Sequence, residues 1–369
     1  MVKSDFQRVA SRIEGSDQAI VDWQRGLTAI KAIAPESGGV GEKEKADYLR
    51  TILESFNPGE IFSIDAPDER VPAGYRPNLV AKFYGRMKDR TLWIISHLDV
   101  VPPGDLNLWK SDPFTIKVEG DNIYGRGVED NQQSIVTVLA LLKALIEEKV
   151  EPGYTIGFIA VSDEETGSAK GLKYVVEKRR DLFGENDLIL VPDGGNEDGT
   201  MIEVAEKSML WLKFRTIGKQ SHGSRPDLGV NSFKAASYLV TELDKLHQLF
   251  NASDNLYNYP ISTFEPTMKE ANVPNINTIP GEDCFYLDSR ILPRYKISDV
   301  LRAVDEKVRS IEERFNVRVE VTQIQSVEAP DPTPVHAPVV RALEKAVKEV
   351  TGKGAKIMGI GGGTVAAIL

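Results

Sequence analysis

The sequence predicts an α/β fold: a sheet covered on both faces by helices, with a compact α+β unit inserted into it. Three observations lead there. The runs TLWIISHLD (91–99), TIGFIAVSDEE (155–165) and DLILVPDGG (187–195) are about strand length and rich in Leu, Ile, Val and Phe, as suits strands buried on both faces. Each run stops on His, Asp or Glu. Ligands of open α/β sheets bind beyond the carboxyl ends of the strands, so three such endings point to one site assembled from distant segments. Near Ser208 the texture changes to the order βαββαβ, and it changes back after residue 327; that order is a ferredoxin-like unit.

In chain order, residues 21–33 and 42–56 show helical spacing of apolar residues, joined by the turn-rich APESGGVG. Residues 78–85 and 91–99 read as adjacent strands, and 102–125 as a long irregular loop containing Trp109. A loop of that length in a compact domain is more often functional than idle. Residues 131–148 form a strong helix pattern, after which strand, helix and strand alternate to Gly195. In the inserted unit, 209–220, 259–270, 284–293 and 318–327 are strand patterns, with helices over 231–250 and 297–315. A helix over 338–350 and a strand with a glycine loop over 356–363 follow. The domains expected are 1–208 with 328–369, interrupted by 209–327.

The 369 residues, 41% hydrophobic and 27% charged, describe an ordinary globular chain of about two domains. A net charge of −10 argues against nucleic acid as a partner, because phosphate binding needs a basic face. The single cysteine, Cys284, excludes an intrachain disulfide and cysteine-rich zinc modules. The N-terminus lacks the apolar core of a signal peptide, and no apolar stretch is long enough to span a bilayer. A cytoplasmic protein with no membrane partner is expected.

His97 and Asp99 lie two apart, on one face of a strand. His97 can ligate a metal while Asp99 supports neighbouring ligands by hydrogen bonding. Asp130 precedes a helix, where Asp is most often an N-cap. Glu164 and Glu165 are adjacent, so their side chains diverge; one can bind metal while the other faces water as a general base. Asp193, in PDGG, fits a turn equally well. Like charges gathered at one sheet edge repel unless a cation neutralises them.

HLDVVPPG, GRGVEDN, SDEETGS and PDGG, in that order, resemble the co-catalytic di-zinc family of aminoacylase, glutamate carboxypeptidase, acetylornithine deacetylase and succinyl-diaminopimelate desuccinylase. The resemblance covers almost the whole chain. It implies a zinc-peptidase-like mixed sheet flanked by helices, with the inserted ferredoxin-like domain as a lid and dimerisation element. It also implies two Zn2+ per subunit, with Co2+ or Mn2+ served by the same donor types. His97 and Asp193 would hold one ion and Glu165 the other, with Asp130 bridging. Asp99 would orient the His97 end, and Glu164 would be the general base. His222, in QSHGSRP, matches an oxyanion-stabilising residue that often acts across a dimer interface. Asn277 matches a position near the substrate, Arg290 a carboxylate clamp, and Gly362, Gly363 and Thr364 a substrate-lining loop. His247 and His336 read as structural.

The resemblance implies hydrolysis of an amide bond in an N-acyl amino acid or a short peptide with a free carboxylate, by a homodimer. The family takes the last ligand of its second zinc from a His well beyond the glycine loop. This chain stops at Leu369 without one, so a catalytic domain truncated at its C-terminus is expected. Two rivals stay open: a related di-zinc aminopeptidase, and a non-catalytic member that binds amino-acid-like ligands.

Overall fold

The computed structural model describes residues 4–369. The chain forms two units, one running to Gly195 and completed by Thr364–Leu369, the other Asn196–Gly363.

The first unit is built on a five-stranded mixed sheet in the order Glu60–Pro67, Tyr75–Phe83, Tyr154–Val161, Met87–His97, Leu188–Leu190. The first three strands pair antiparallel, and the last three run parallel. Met87–His97 shows why such a strand is apolar without interruption. Successive side chains point to opposite faces. Ile94 enters the layer made with helices Asp17–Ala29, Lys43–Ser55 and Gln133–Glu147, while Trp93 and Ile95 enter the layer under helix Leu172–Arg179. Gly157 sits beside Trp93 in the neighbouring strand, and a Cβ there would lie 2.3 Å from the indole ring.

Parallel pairing sets His97 level with Val161, and Ile94 level with Leu190. The three strands therefore finish on one edge, with residues 162–165 and Asp193 just beyond. The third run is a strand only over Leu188–Leu190. Pro192 cannot donate to a ladder, and the Asp-Gly-Gly that follows favours a turn. Three elements had no clear sequence signal. Helix Asp5–Glu14 is closed by a capping box at Ser4, strand Glu60–Pro67 lies at the sheet edge, and a small hairpin, Lys117–Glu119 with Asn122–Tyr124, sits inside the long loop.

The second unit holds an antiparallel sheet in the order Thr263–Lys269, Glu282–Ile291, Ser208–Ile217, Arg318–Val327. Helices Ser232–Leu243 and Ile297–Phe315 cover one face, against Leu210, Leu212, Phe214, Phe285 and Leu287. The Phe214 and Phe285 rings stack at 4.8 Å. Chain order is βαββαβ, and buried and half-buried residues alternate strictly along Ser208–Ile217, as one covered face requires. The unit also contains Met201–Ala205, paired in parallel with Lys356–Gly359 and packed against helix Pro338–Thr351. Among the described residues, no helix is long and apolar enough to cross a membrane.

Candidate active site

At the shared strand edge, His97 ends its strand and is almost wholly buried. Its Nε2 lies 2.9 Å from Asp130 Oδ1 and 3.7 Å from Asp193 Oδ1. Its Nδ1 faces Asp99, 3.0 Å from the main-chain oxygen and 3.4 Å from the carboxylate. One ring nitrogen is thus occupied by the strand's own continuation, and the other points into a carboxylate cluster.

Asp130 is not a cap. The helix begins at Gln133 with no side-chain cap, and Asp130 has non-helical backbone angles. Gly127, at φ +83, makes the turn into this segment, a conformation that glycine tolerates. The Asp130 side chain is 62% exposed while the His97 side chain it meets is 1% exposed, so the cluster opens to solvent on the Asp130 side. The next residue, Asn131, is buried and donates from Nδ2 to Asp193 Oδ1. Sequence reasoning passed over this link, because an Asn at a helix start signals only a cap.

The acidic pair follows strand Tyr154–Val161. Asp99 holds it: its carboxylate accepts the main-chain N–H of Glu164 at 3.1 Å and of Glu165 at 3.0 Å. The side chains of His97, Asp130 and Glu165 then each offer a ligand atom within 4.8 Å of one another. Glu165 Oε1 is buried with no hydrogen-bond partner among the described residues.

The electrostatics follow from this crowding. Burial, with Asp193, Asp99 and Glu165 adding to it against His97, pushes the Glu164 carboxyl up to about 8. Burial, then Asp130, pushes Glu165 up to about 7. Burial works against a charge on His97, but hydrogen bonds with Asp130, Asp193 and Asp99 outweigh it and hold the imidazole well above its ordinary value. Burial likewise opposes ionisation of Asp99, yet His97 and the Glu165 and Glu164 amides keep it below the usual carboxylate range. One imidazole, carboxylates strained by their own repulsion and an unpartnered buried carboxylate oxygen form a donor set that suits a divalent cation.

Most of the remaining candidates lie in the second unit or at its border. His222 is exposed; its Nδ1 is 2.8 Å from Ser224 Oγ, and its Nε2 is 3.4 Å from Asn277 Nδ2. The short pairing of Ser221–His222 with Thr278–Ile279 brings these two residues together. Arg290 is engaged on all three nitrogens: Nε and Nη2 bond Asp288 at 2.7 and 3.0 Å, and Nη1 donates to the Gly361 carbonyl at 3.0 Å. That last bond ties the strand to the loop carrying Gly362 and Gly363. Thr364 Oγ1 accepts from Ala366 N and opens a short 3₁₀ turn, Val365–Ile368. In the 102–125 loop, Trp109 donates to the Pro103 carbonyl at 2.8 Å and lies under Arg126. His247 meets Phe264 edge-on and Glu265 at 3.6 Å.

Residues 93–369 match the family described as peptidase family M20/M25/M40. The chain is 40% identical over 370 residues to an uncharacterized metallohydrolase of Methanococcus maripaludis, covering 95% of this chain and 88% of that protein. It is 27% identical over 285 residues to succinyl-diaminopimelate desuccinylase 1 of Alteromonas mediterranea, covering 75% of this chain and 70% of the relative. In structure it is similar to human carnosine dipeptidase 1, with a TM-score of 0.78 at 16% identity over 99% of this chain and 89% of the other.

Proposed function

This chain belongs to peptidase family M20/M25/M40, and from that premise we propose that it hydrolyses the amide bond of an N-acyl amino acid or of a short peptide with a free carboxylate. The observation that carries this reading is the convergence of His97, Asp130 and Glu165 beside the half-buried Glu164. His97 and Asp193 would hold one Zn2+ and Glu165 a second, with Asp130 between them; Co2+ or Mn2+ suits the same donors. Such ions lower the pKa of water towards about 7 and polarise a carbonyl.

The chain's own groups supply the rest. Glu164 takes the proton of the attacking water and delivers it to the leaving nitrogen, a role its side chain beside His97, Asp99 and Glu165 suits. Asp99 keeps the His97 Nδ1 side occupied, so that Nε2 is the nitrogen that would take an ion, and fixes the Glu164–Glu165 backbone. His222, with Nδ1 held by Ser224, would stabilise the developing oxyanion through Nε2, as the family resemblance implies. Asn277, Gly362, Gly363 and Thr364 line the substrate, and Arg290 receives its carboxylate in competition with Asp288. The βαββαβ segment, residues 209–327, serves as lid and dimerisation element of a cytoplasmic homodimer.

The test is Glu164→Gln in metal-loaded protein, assayed on a panel of N-acyl amino acids and dipeptides. The variant should keep its metal and lose turnover by about 10²–10⁴-fold. Near-normal turnover would defeat the base assignment, and a wild-type chain that binds metal but cleaves no amide would defeat the hydrolase reading.

A further inference from the structure

Beneath the acidic turn lies a set of charged side chains that the proposed chemistry does not use. Glu42, Lys45, Arg76, Asp68 and Asp163 are all buried. Isolated buried charges are costly and persist only when they are paired and hydrogen-bonded. Arg76 and Glu42 form a two-point pair, Arg76 Nε and Nη2 to the two Glu42 oxygens, with both side chains fully buried. Arg76 Nη1 has no hydrogen-bond partner among the described residues, and stands 3.5 Å from Asp163 Oδ1 and 3.7 Å from Asp68 Oδ2.

Asp163 is the residue before Glu164. Its backbone is left-handed, φ +63, which a non-glycine residue adopts at a cost. The surrounding bonds hold it there. Its main-chain N–H approaches Glu42 Oε1 at 3.4 Å, and its carboxylate accepts from Thr166 Oγ1 and, at 2.8 Å, from the Lys170 N–H. Asp99 grips the next two amides, those of Glu164 and Glu165. The turn is thus held from both sides, by Asp99 next to His97 and by Asp163 over the Arg76–Glu42 pair. Strands Tyr75–Phe83 and Tyr154–Val161, which carry Arg76 and lead into Asp163, are direct neighbours.

We infer that Arg76, braced by Glu42, is a positioning residue that sets the Glu164–Glu165 turn through Asp163. The inference deepens the proposed function and rests on it only for its effect on turnover; the effect on the turn stands independently. Arg76 is fully buried, so its influence passes through main-chain geometry.

The experiment uses the double variant Glu42→Leu/Arg76→Met. Removing both partners avoids leaving either member of the two-point pair unpaired, while Asp163 and Asp68 lose the cation they face, which is the link the experiment tests. Amide exchange of the 162–170 segment is measured on metal-free protein beside the thermal midpoint. The positioning role predicts exchange about tenfold or more faster in that segment with the rest of the sheet unchanged. It also predicts, in metal-loaded protein, kcat lower by roughly 10–100-fold with KM nearly kept. Should the double variant not fold, Arg76→Lys, which keeps a cation beside Glu42 and Asp163 but loses the two-point pair, is read in the same way. Unchanged exchange in a folded variant overturns the inference, as does faster exchange with full turnover. A wild-type chain that hydrolyses no amide removes the proposed function instead, and the exchange measurement still decides whether Arg76 holds the turn.

Discussion

The buried carboxylate of Asp99 accepts the main-chain N–H of Glu165 at 3.0 Å, so the residue two places beyond His97 fixes the backbone of a second site residue far along the chain. Asp99→Asn keeps the size but turns an amide NH2 towards backbone donors. Metal affinity or turnover should fall by roughly 10–100-fold. Chelator competition followed by kcat on the reloaded protein checks this; unchanged values in both would leave Asp99 a packing residue.

Lys45 gives a pH prediction. Burial pushes its pKa down to about 8, against the attraction of Asp99 and Glu42. Above that value the folded state releases a proton that the unfolded chain keeps up to about 10.4. Folding stability from this group therefore rises with pH between those limits, and below them the buried charge is a standing cost. Lys45→Met should stabilise the protein at pH 7 by roughly 1–3 kcal/mol, and the gain should shrink steadily as pH climbs from 8 towards 10.4. Paired denaturant titrations across that range read it, and a gain that stays constant would mean that folded Lys45 keeps its proton up to the unfolded value, with no depression by burial.

Asp187 supports a strand rather than the chemistry. Its carboxylate accepts from Thr91 N at 2.8 Å, Trp93 Nε1 at 2.9 Å and Gly184 N at 2.8 Å. Asp187→Ala strands those donors and should cost roughly 2–3 kcal/mol. A midpoint shift in urea with an unchanged slope checks it; a loss under about 0.5 kcal/mol would show that water replaces the carboxylate freely.

If His222 serves the site of the partner subunit in the proposed dimer, two inactive variants should rescue each other. Mixing Glu164→Gln with His222→Ala under subunit exchange leaves one site per heterodimer with both groups intact. Recovery of activity supports action across the interface. Lack of recovery despite proven exchange places His222 with its own chain.

Much of this was legible because apolar periodicity and strand-end chemistry coincide. Trp93, Ile94 and Ile95 read as an unbroken apolar run, since each face of that strand is covered, and His97 stands where the run stops. Legibility failed where polarity misled. GEKEK at residues 41–45 looks like a solvated helix start, yet Glu42 and Lys45 share the buried stripe with Ala46, Leu49 and Leu53. Their spacing was the available signal. Asp163, ahead of the two glutamates, was hidden by them, and strand Glu60–Pro67 by the mixed polarity usual at a sheet edge.

The parallel alignment of three strands carries a consequence for how the protein fails. Main-chain ladders set His97 level with Val161 and Ile94 level with Leu190, so the points from which the acidic turn and the Asp193 segment leave the sheet are fixed. Loosening the periphery alone cannot spread those departure points apart. A bound cation should therefore be lost together with the central sheet, as one cooperative event under heat or denaturant, and held for as long as the sheet is.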